Sequence, residues 1–124
     1  MKLYQKKMLA WAEPITDNNI DNLKIMGAAI CEDDNNSRSH DAFIDNAKVG
    51  DIVVWVKNGK IVSAQARTIE GIHTADLPSR LMKPENGGHP YFCTEQVFQE
   101  TYIYSGRNLP VNEDDFNEYI HQGS

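Results

Sequence analysis

The chain has 124 residues, enough for one domain spanning residues 1–124 around one hydrophobic core. With 40% hydrophobic and 24% charged residues it has an ordinary globular composition, which excludes wholesale disorder. The net charge of −6 argues against duplex nucleic acid as a partner, because the phosphate backbone needs a basic face, but leaves room for a small anion held by a few arginines.

The opening Met1-Lys2-Leu3-Tyr4-Gln5-Lys6-Lys7 is followed by no long apolar run, so it does not read as a secretion signal. No apolar stretch approaches the ~20 residues of a membrane span. The expected location is therefore the cytoplasm, with Cys31 and Cys93 reduced. Leu3 to Ala12 reads as a first strand, ended by Pro14, which has no amide to give to a ladder. Thr16 or Asp17 then caps a short helix with Ile20, Leu23 and Lys24 on one side, and Gly27 terminates it. Ala28 to Cys31 reads as a short buried strand. Glu32 to His40 is polar and rich in turn formers, and reads as a solvated loop.

The clearest element is a β-hairpin. Ile52 to Lys57 is β-branched and aromatic, Asn58-Gly59 favours a type I′ turn, and Lys60 to Arg67 returns. A two-residue turn sets Lys57 opposite Lys60, Val56 opposite Ile61 and Trp55 opposite Val62. One face then carries Val53, Trp55, Val62 and Ala64 and reads as core. The other carries Ile52, Val54, Val56, Ile61, Ser63 and Gln65, with Arg67 beyond. It is open to a pocket or to a second packing layer.

Leu77 to Met82 reads as one helical turn, and Pro84 to Pro90 as a loop with prolines around a glycine pair. Thr94 caps a helical turn through Phe98, and Thr101 to Tyr104 reads as a strand. Asn112 precedes a small helix with Phe116, Tyr119 and Ile120 on one side, and Glu113, Asp114 and Asp115 at its start, where the helix dipole favours them. Together these elements predict an α+β fold. It consists of a small antiparallel β-sheet or partial barrel centred on the Asn-Gly hairpin, with two or three short helices.

Four chemistries compete with plainer roles. His89 and Cys93, with His40 and His73, lack the paired spacing of a zinc site, so no metal is assigned. Cys93 just before a helix start is the one candidate nucleophile, with a histidine as its base; a buried structural cysteine is the plainer reading. The many carboxylates lie in loop-like sequence, where solvated acids are expected. There is no Walker loop and no dinucleotide-binding glycine motif. No catalytic residue and no cofactor are assigned. Anion binding without chemistry remains. Gly87 and Gly88 can form a backbone nest, Arg67, Arg80 and Arg107 can supply bidentate donors, and Trp11, Trp55, Tyr91, Phe92 and Tyr104 can stack on a base. The plainer reading makes these arginines surface residues and these aromatics core.

Three segments stand in a recognisable order: Tyr4-Gln5-Lys6-Lys7, then Gly50-Asp51 before a β run, then Tyr91-Phe92-Cys93-Thr94-Glu95-Gln96-Val97-Phe98-Gln99-Glu100-Thr101-Tyr102. This order resembles the small phage and prophage proteins of the PGDYL type. The resemblance implies a compact β-rich domain whose first and last strands pair, encoded by a phage and acting in a bacterial cytoplasm. Small phage proteins without catalytic motifs often disable host defence. One class, the anti-Thoeris sponges, sequesters nucleotide immune signals of the cyclic ADP-ribose type.

The expected function is therefore non-catalytic sequestration of a small, anionic, nucleotide-like ligand. Arg67, Arg80, Arg107, Gly87 and Gly88 are the expected phosphate contacts, and Trp11 and Tyr91 the stacking residues. The loops at 32–40 and 83–90 are the expected rims. A homo-oligomer is expected, because small domains often complete a pocket between subunits. The alternative is an acidic inhibitor of a host defence protein, of the anti-CRISPR or antirestriction kind. It would use Glu32 to Asp34 and the acids from Glu113 to Glu118.

Overall fold

Asn58 and Gly59 take positive φ values of 53° and 76°, the two left-handed residues that a type I′ turn requires. They join β3 (Ile52–Lys57) to β4 (Lys60–Thr68) in a computed structural model that describes residues 10–33 and 37–102. In chain order the other elements are β1 (Ala10–Pro14), α1 (Ile20–Ile25), β2 (Ala29–Glu32), α2 (Ser37–Asn46), β5 (Gly71–Thr74), β6 (Ser79–Pro84), β7 (Tyr91–Thr94) and α3 (Glu95–Thr101). A 3-10 turn, Asp17–Asn19, leads into α1. The predicted C-terminal helix lies outside the described residues, as does the start of the predicted first strand.

The strands form two open sheets, one in the order β2-β3-β4-β5 and the other in the order β1-β6-β7. With the helices they make an α+β fold, and neither sheet closes into a barrel. All pairings are antiparallel except β2 with β3. That parallel pair needs a crossover, since the chain must return to the starting edge of the sheet. The crossover contains α2, whose first turn, from Ser37 to His40, falls in the segment expected to be a loop. The first and last described strands share a sheet but do not pair, because β6 lies between them.

One core joins the sheets. Ile52, Val54 and Val56 of β3 and Ala64 and Ala66 of β4 face Trp11, Leu23, Met26 and Leu81. Burial of these side chains removes roughly 1.5–3 kcal/mol worth of exposed surface for each large residue. Gly27 ends α1 as predicted, at φ 98°, and the following amide of Ala28 returns to the Leu23 carbonyl.

The predicted facing of the hairpin is corrected by one residue. Lys57 faces Lys60 and Val56 faces Ile61, but Trp55 faces Ser63. A bulge expels Val62, which is 46% exposed. Beyond the bulge the alternation of β4 is inverted relative to β3. Ala64 therefore joins Val54 on the shared core face, while Trp55 and Val53, buried as expected at 1% exposure each, turn to the opposite face with Ser63, Gln65 and Arg67.

Two further expectations are corrected. Leu77–Pro78 is a cis peptide, and the residues after it run extended as β6, not as a helical turn. Leu81 and Met82 are adjacent and both fully buried, since β6 is covered on both faces; such a strand has no alternating pattern. Thr94 does cap α3, its hydroxyl accepting from the Val97 amide at 3.3 Å, but the helix continues to Thr101, where a strand was expected to begin.

Candidate functional site

The arginines and aromatics named from sequence do not converge. Trp11 lies in the shared core. Arg80 projects from the other face of the same sheet, where its Nε and Nη2 donate to the two oxygens of Glu95 at 2.8 and 3.0 Å, and its guanidinium lies 4.1 Å from the Phe98 ring centre. Both sides of that guanidinium's chemistry, charge and stacking, are thus used by α3. Tyr91, on the same face as Arg80 and Met82, shares a 2.6 Å hydrogen bond with the Tyr102 hydroxyl. Burial, reinforced by Tyr102, raises the Tyr91 phenol well above its ordinary value, so it stays neutral.

Gly87 and Gly88 do lie in a turn, but their amides are spent within it. Gly87 donates to the Pro84 carbonyl at 3.3 Å and Gly88 to Asn86 Oδ1 at 3.0 Å. Arg107 lies outside the described residues. Cys93 is buried, with its thiol 3.6 Å from the Thr94 carbonyl that accepts from it. Burial pushes the thiol up, and the neighbouring Glu95 adds to this, which opposes thiolate chemistry. Among the described residues, no three of His, Cys, Asp and Glu are grouped to hold a metal ion.

Arg67 is placed differently. It follows Ser63 and Gln65 at strand alternation, so it projects from the outer face of the four-stranded sheet, the face that carries Trp55. Its guanidinium makes no hydrogen bond or ion pair among the described residues. Further along the same face, the Trp55 indole Nε1 donates to Gln65 Oε1 at 3.0 Å, and Gln65 Nε2 donates to Thr74 Oγ1 on β5 at 3.3 Å. Cys31 of β2 is Trp55's lateral neighbour on the other side. The face therefore carries an aromatic ring, itself only 1% exposed, with an amide, a hydroxyl and a guanidinium.

A ring already lies on that aromatic. His40 of α2 stacks on Trp55 with centroids 3.9 Å apart and planes 17° from parallel. Its Nε2 is 3.4 Å from Asp33 Oδ1 at the end of β2. Sequence reading grouped His40 with metal candidates because its helix has the composition of a loop. The signal that was available is the pairing of His40 with Phe43 three residues on, which places two rings on one helical face.

The 83–90 rim also approaches this sheet. Gly50, at φ 100°, donates to the Arg67 carbonyl at 3.0 Å, and His89 Nδ1 lies 3.1 Å from where a Cβ on residue 50 would stand. Both the conformation and this close approach call for glycine there.

Compared with protein-family models, with curated proteins and with solved structures, the chain matches none. No helix among the described residues is long and apolar enough to cross a membrane.

Proposed function

We propose that this protein is a non-catalytic binder of a small, planar, anionic ligand of nucleotide type, held on the outer face of the four-stranded sheet. The observation that carries this reading is the stack on Trp55: a heteroaromatic ring already lies flat on the indole at 3.9 Å, as a base would. Gln65 and Thr74 supply polar contacts at the ring's edge, and Arg67 supplies the charge for a phosphate. Relative to the residues expected from sequence, this reading keeps Arg67, replaces Trp11 and Tyr91 by Trp55, and sets Arg80 aside as a partner of Glu95.

In the setting implied by the resemblance to small phage proteins, such a binder would sequester a nucleotide immune signal in the host cytoplasm. A pocket completed by a second copy of the chain belongs to the same proposal. Sequestration requires binding without turnover. The residues assigned to the ligand, Arg67, Gln65, Thr74 and Trp55, recognise and do not attack.

The test is a thermal-shift screen against nucleotides, cyclic dinucleotides and cyclic ADP-ribose isomers, with each compound recovered afterwards. A ligand at a hundred times its dissociation constant stabilises the fold by about 2.7 kcal/mol. A shift with the compound recovered intact is the expected result. A shift with the compound chemically altered refutes non-catalytic binding. No shift with any compound refutes the nucleotide reading and leaves the acidic, protein-binding inhibitor in its place.

A further inference from the structure

The ring on Trp55 belongs to α2. From Arg38 to Asn46, α2 has no buried side chain; His40 and Phe43 are half-buried on one face, and Ile44 on another is 42% exposed. A surface helix normally buries an apolar stripe against the body it covers, and that stripe supplies most of its stability. Here the contacts of the covering face include the stack of His40 on Trp55 and the approach of His40 to Asp33. Yet Trp55 itself is only 1% exposed, although it projects from the outer face of its sheet. A fully covered tryptophan beneath a helix with no buried residue from Arg38 to Asn46 is the unusual juxtaposition in this fold.

We propose that α2 is a self-occupying cover. In the free protein His40 holds the ring place on Trp55, and a ligand's base takes that place as His40 and α2 move aside. The inference rests on the nucleotide-binding reading and adds how the site is regulated: the free protein competes with its own ligand. The apparent affinity is then the intrinsic affinity reduced by the fraction of molecules whose Trp55 is uncovered. Trp55 keeps its bond to Gln65 throughout, so the platform is set before the ligand arrives.

The experiment uses the full chain, adenosine 5′-monophosphate as probe, and two variants, His40→Ala and His40→Phe. Acrylamide quenching of tryptophan fluorescence reads the cover without ligand, and a Trp55→Phe protein identifies the share due to Trp55. Circular dichroism checks that each variant is folded. In His40→Ala, quenching of Trp55 rises and the probe binds about two- to tenfold more tightly, the range that loss of one competing ring stack converts to. In His40→Phe a ring remains, so Trp55 stays protected and the probe gains nothing. Unchanged quenching in His40→Ala overturns the cover. Weaker probe binding in folded His40→Ala also overturns it, because His40 would then be a ligand contact and not a competitor. If no variant binds any nucleotide, the nucleotide reading falls, while the quenching result still decides whether His40 is what covers Trp55.

Discussion

Arg80 and Glu95 form a two-pronged ion pair that fastens α3 to the three-stranded sheet, with bonds of 2.8 and 3.0 Å and with Phe98 beneath the guanidinium. Glu95 is further held by Gln99 Nε2 at 2.7 Å. The pair is only partly shielded from water, with about a quarter of the Arg80 side chain and a third of the Glu95 side chain exposed. Its worth therefore comes from geometry more than from raw Coulomb energy.

Replacing Arg80 by Ala is expected to cost about 1–2 kcal/mol of stability, read from urea denaturation, since it removes a bidentate pair and a cation–π contact together. Arg80→Lys keeps the charge but not the fork, and should fall between the two.

The same pair gives a signed pH dependence. Hydrogen bonds from Arg80 and then Gln99 hold the Glu95 carboxyl below its ordinary range. A carboxylate whose pKa is depressed on folding stabilises fully above its unfolded pKa, about 4.3, and loses that contribution as pH falls through the folded value. The stability gap between the wild type and Glu95→Gln should be full at neutral pH and shrink below about pH 4.3. A gap that is constant down to the lowest pH at which both proteins fold would contradict the assignment.

The two cysteines should separate in reactivity. Cys31 is half-buried and Cys93 is buried with its thiol pushed up by desolvation. Titration with a thiol-specific reagent at neutral pH should therefore label Cys31 first, and Cys93 at a comparable rate only in denaturant. Rapid labelling of Cys93 in a Cys31→Ser protein would reopen the nucleophile reading.

Of the two described arginines placed in the expected ligand site, only Arg67 should matter for binding. Arg67→Ala is expected to weaken adenosine 5′-monophosphate binding by about tenfold, the loss of one charge-assisted contact, with melting temperature little changed. Arg80→Ala should lower the melting temperature and leave the affinity of the folded fraction as it was. Calorimetry on both variants separates the two roles.

The hairpin facing can be checked by deletion of methyl groups. Val54→Ala should cost about 2 kcal/mol, and Val62→Ala less than about 0.5 kcal/mol, despite the similar sequence surroundings. The difference follows from Val54 being fully buried and Val62 being expelled.

The parts of this fold that were legible in the sequence are those whose physics is local. Asn58-Gly59 announces its turn because few residues accept two successive positive φ values. Thr94 announces a helix start because its hydroxyl serves the first free amides. The bulge at Val62 leaves no such mark, and it expels Val62 and moves Ala64 to the face opposite Trp55. α2 was hidden because it has no fully buried residue from Arg38 to Asn46, and the His40 and Phe43 pair is too short a stripe to stand out. β6 was hidden because Leu81 and Met82 are buried on opposite faces, which erases the period of two. That Arg67 shares a face with Ser63 and Gln65 was legible because the three alternate on one strand. The fates of Arg80, Tyr91 and the glycine pair were not. Their partners Glu95, Tyr102, Pro84 and Asn86 are supplied by how the chain folds back, and residue type alone does not disclose them.

The bulge also bears on how this chain can change length. Val56 faces Ile61 and Trp55 faces Ser63, so Val62 is the one residue between them without a cross-strand partner. Its loss would join Ile61 directly to Ser63 and heal the ladder. Ile61 would still pack on the core, Ser63 would still face outward, and each later pair in β4 would be kept. In most strands a one-residue deletion turns every following side chain to the wrong side. Here the hairpin carries a removable residue between its turn and the Trp55 platform, so an ancestor or a descendant one residue shorter can have the same sheet, the same core and the same outer face.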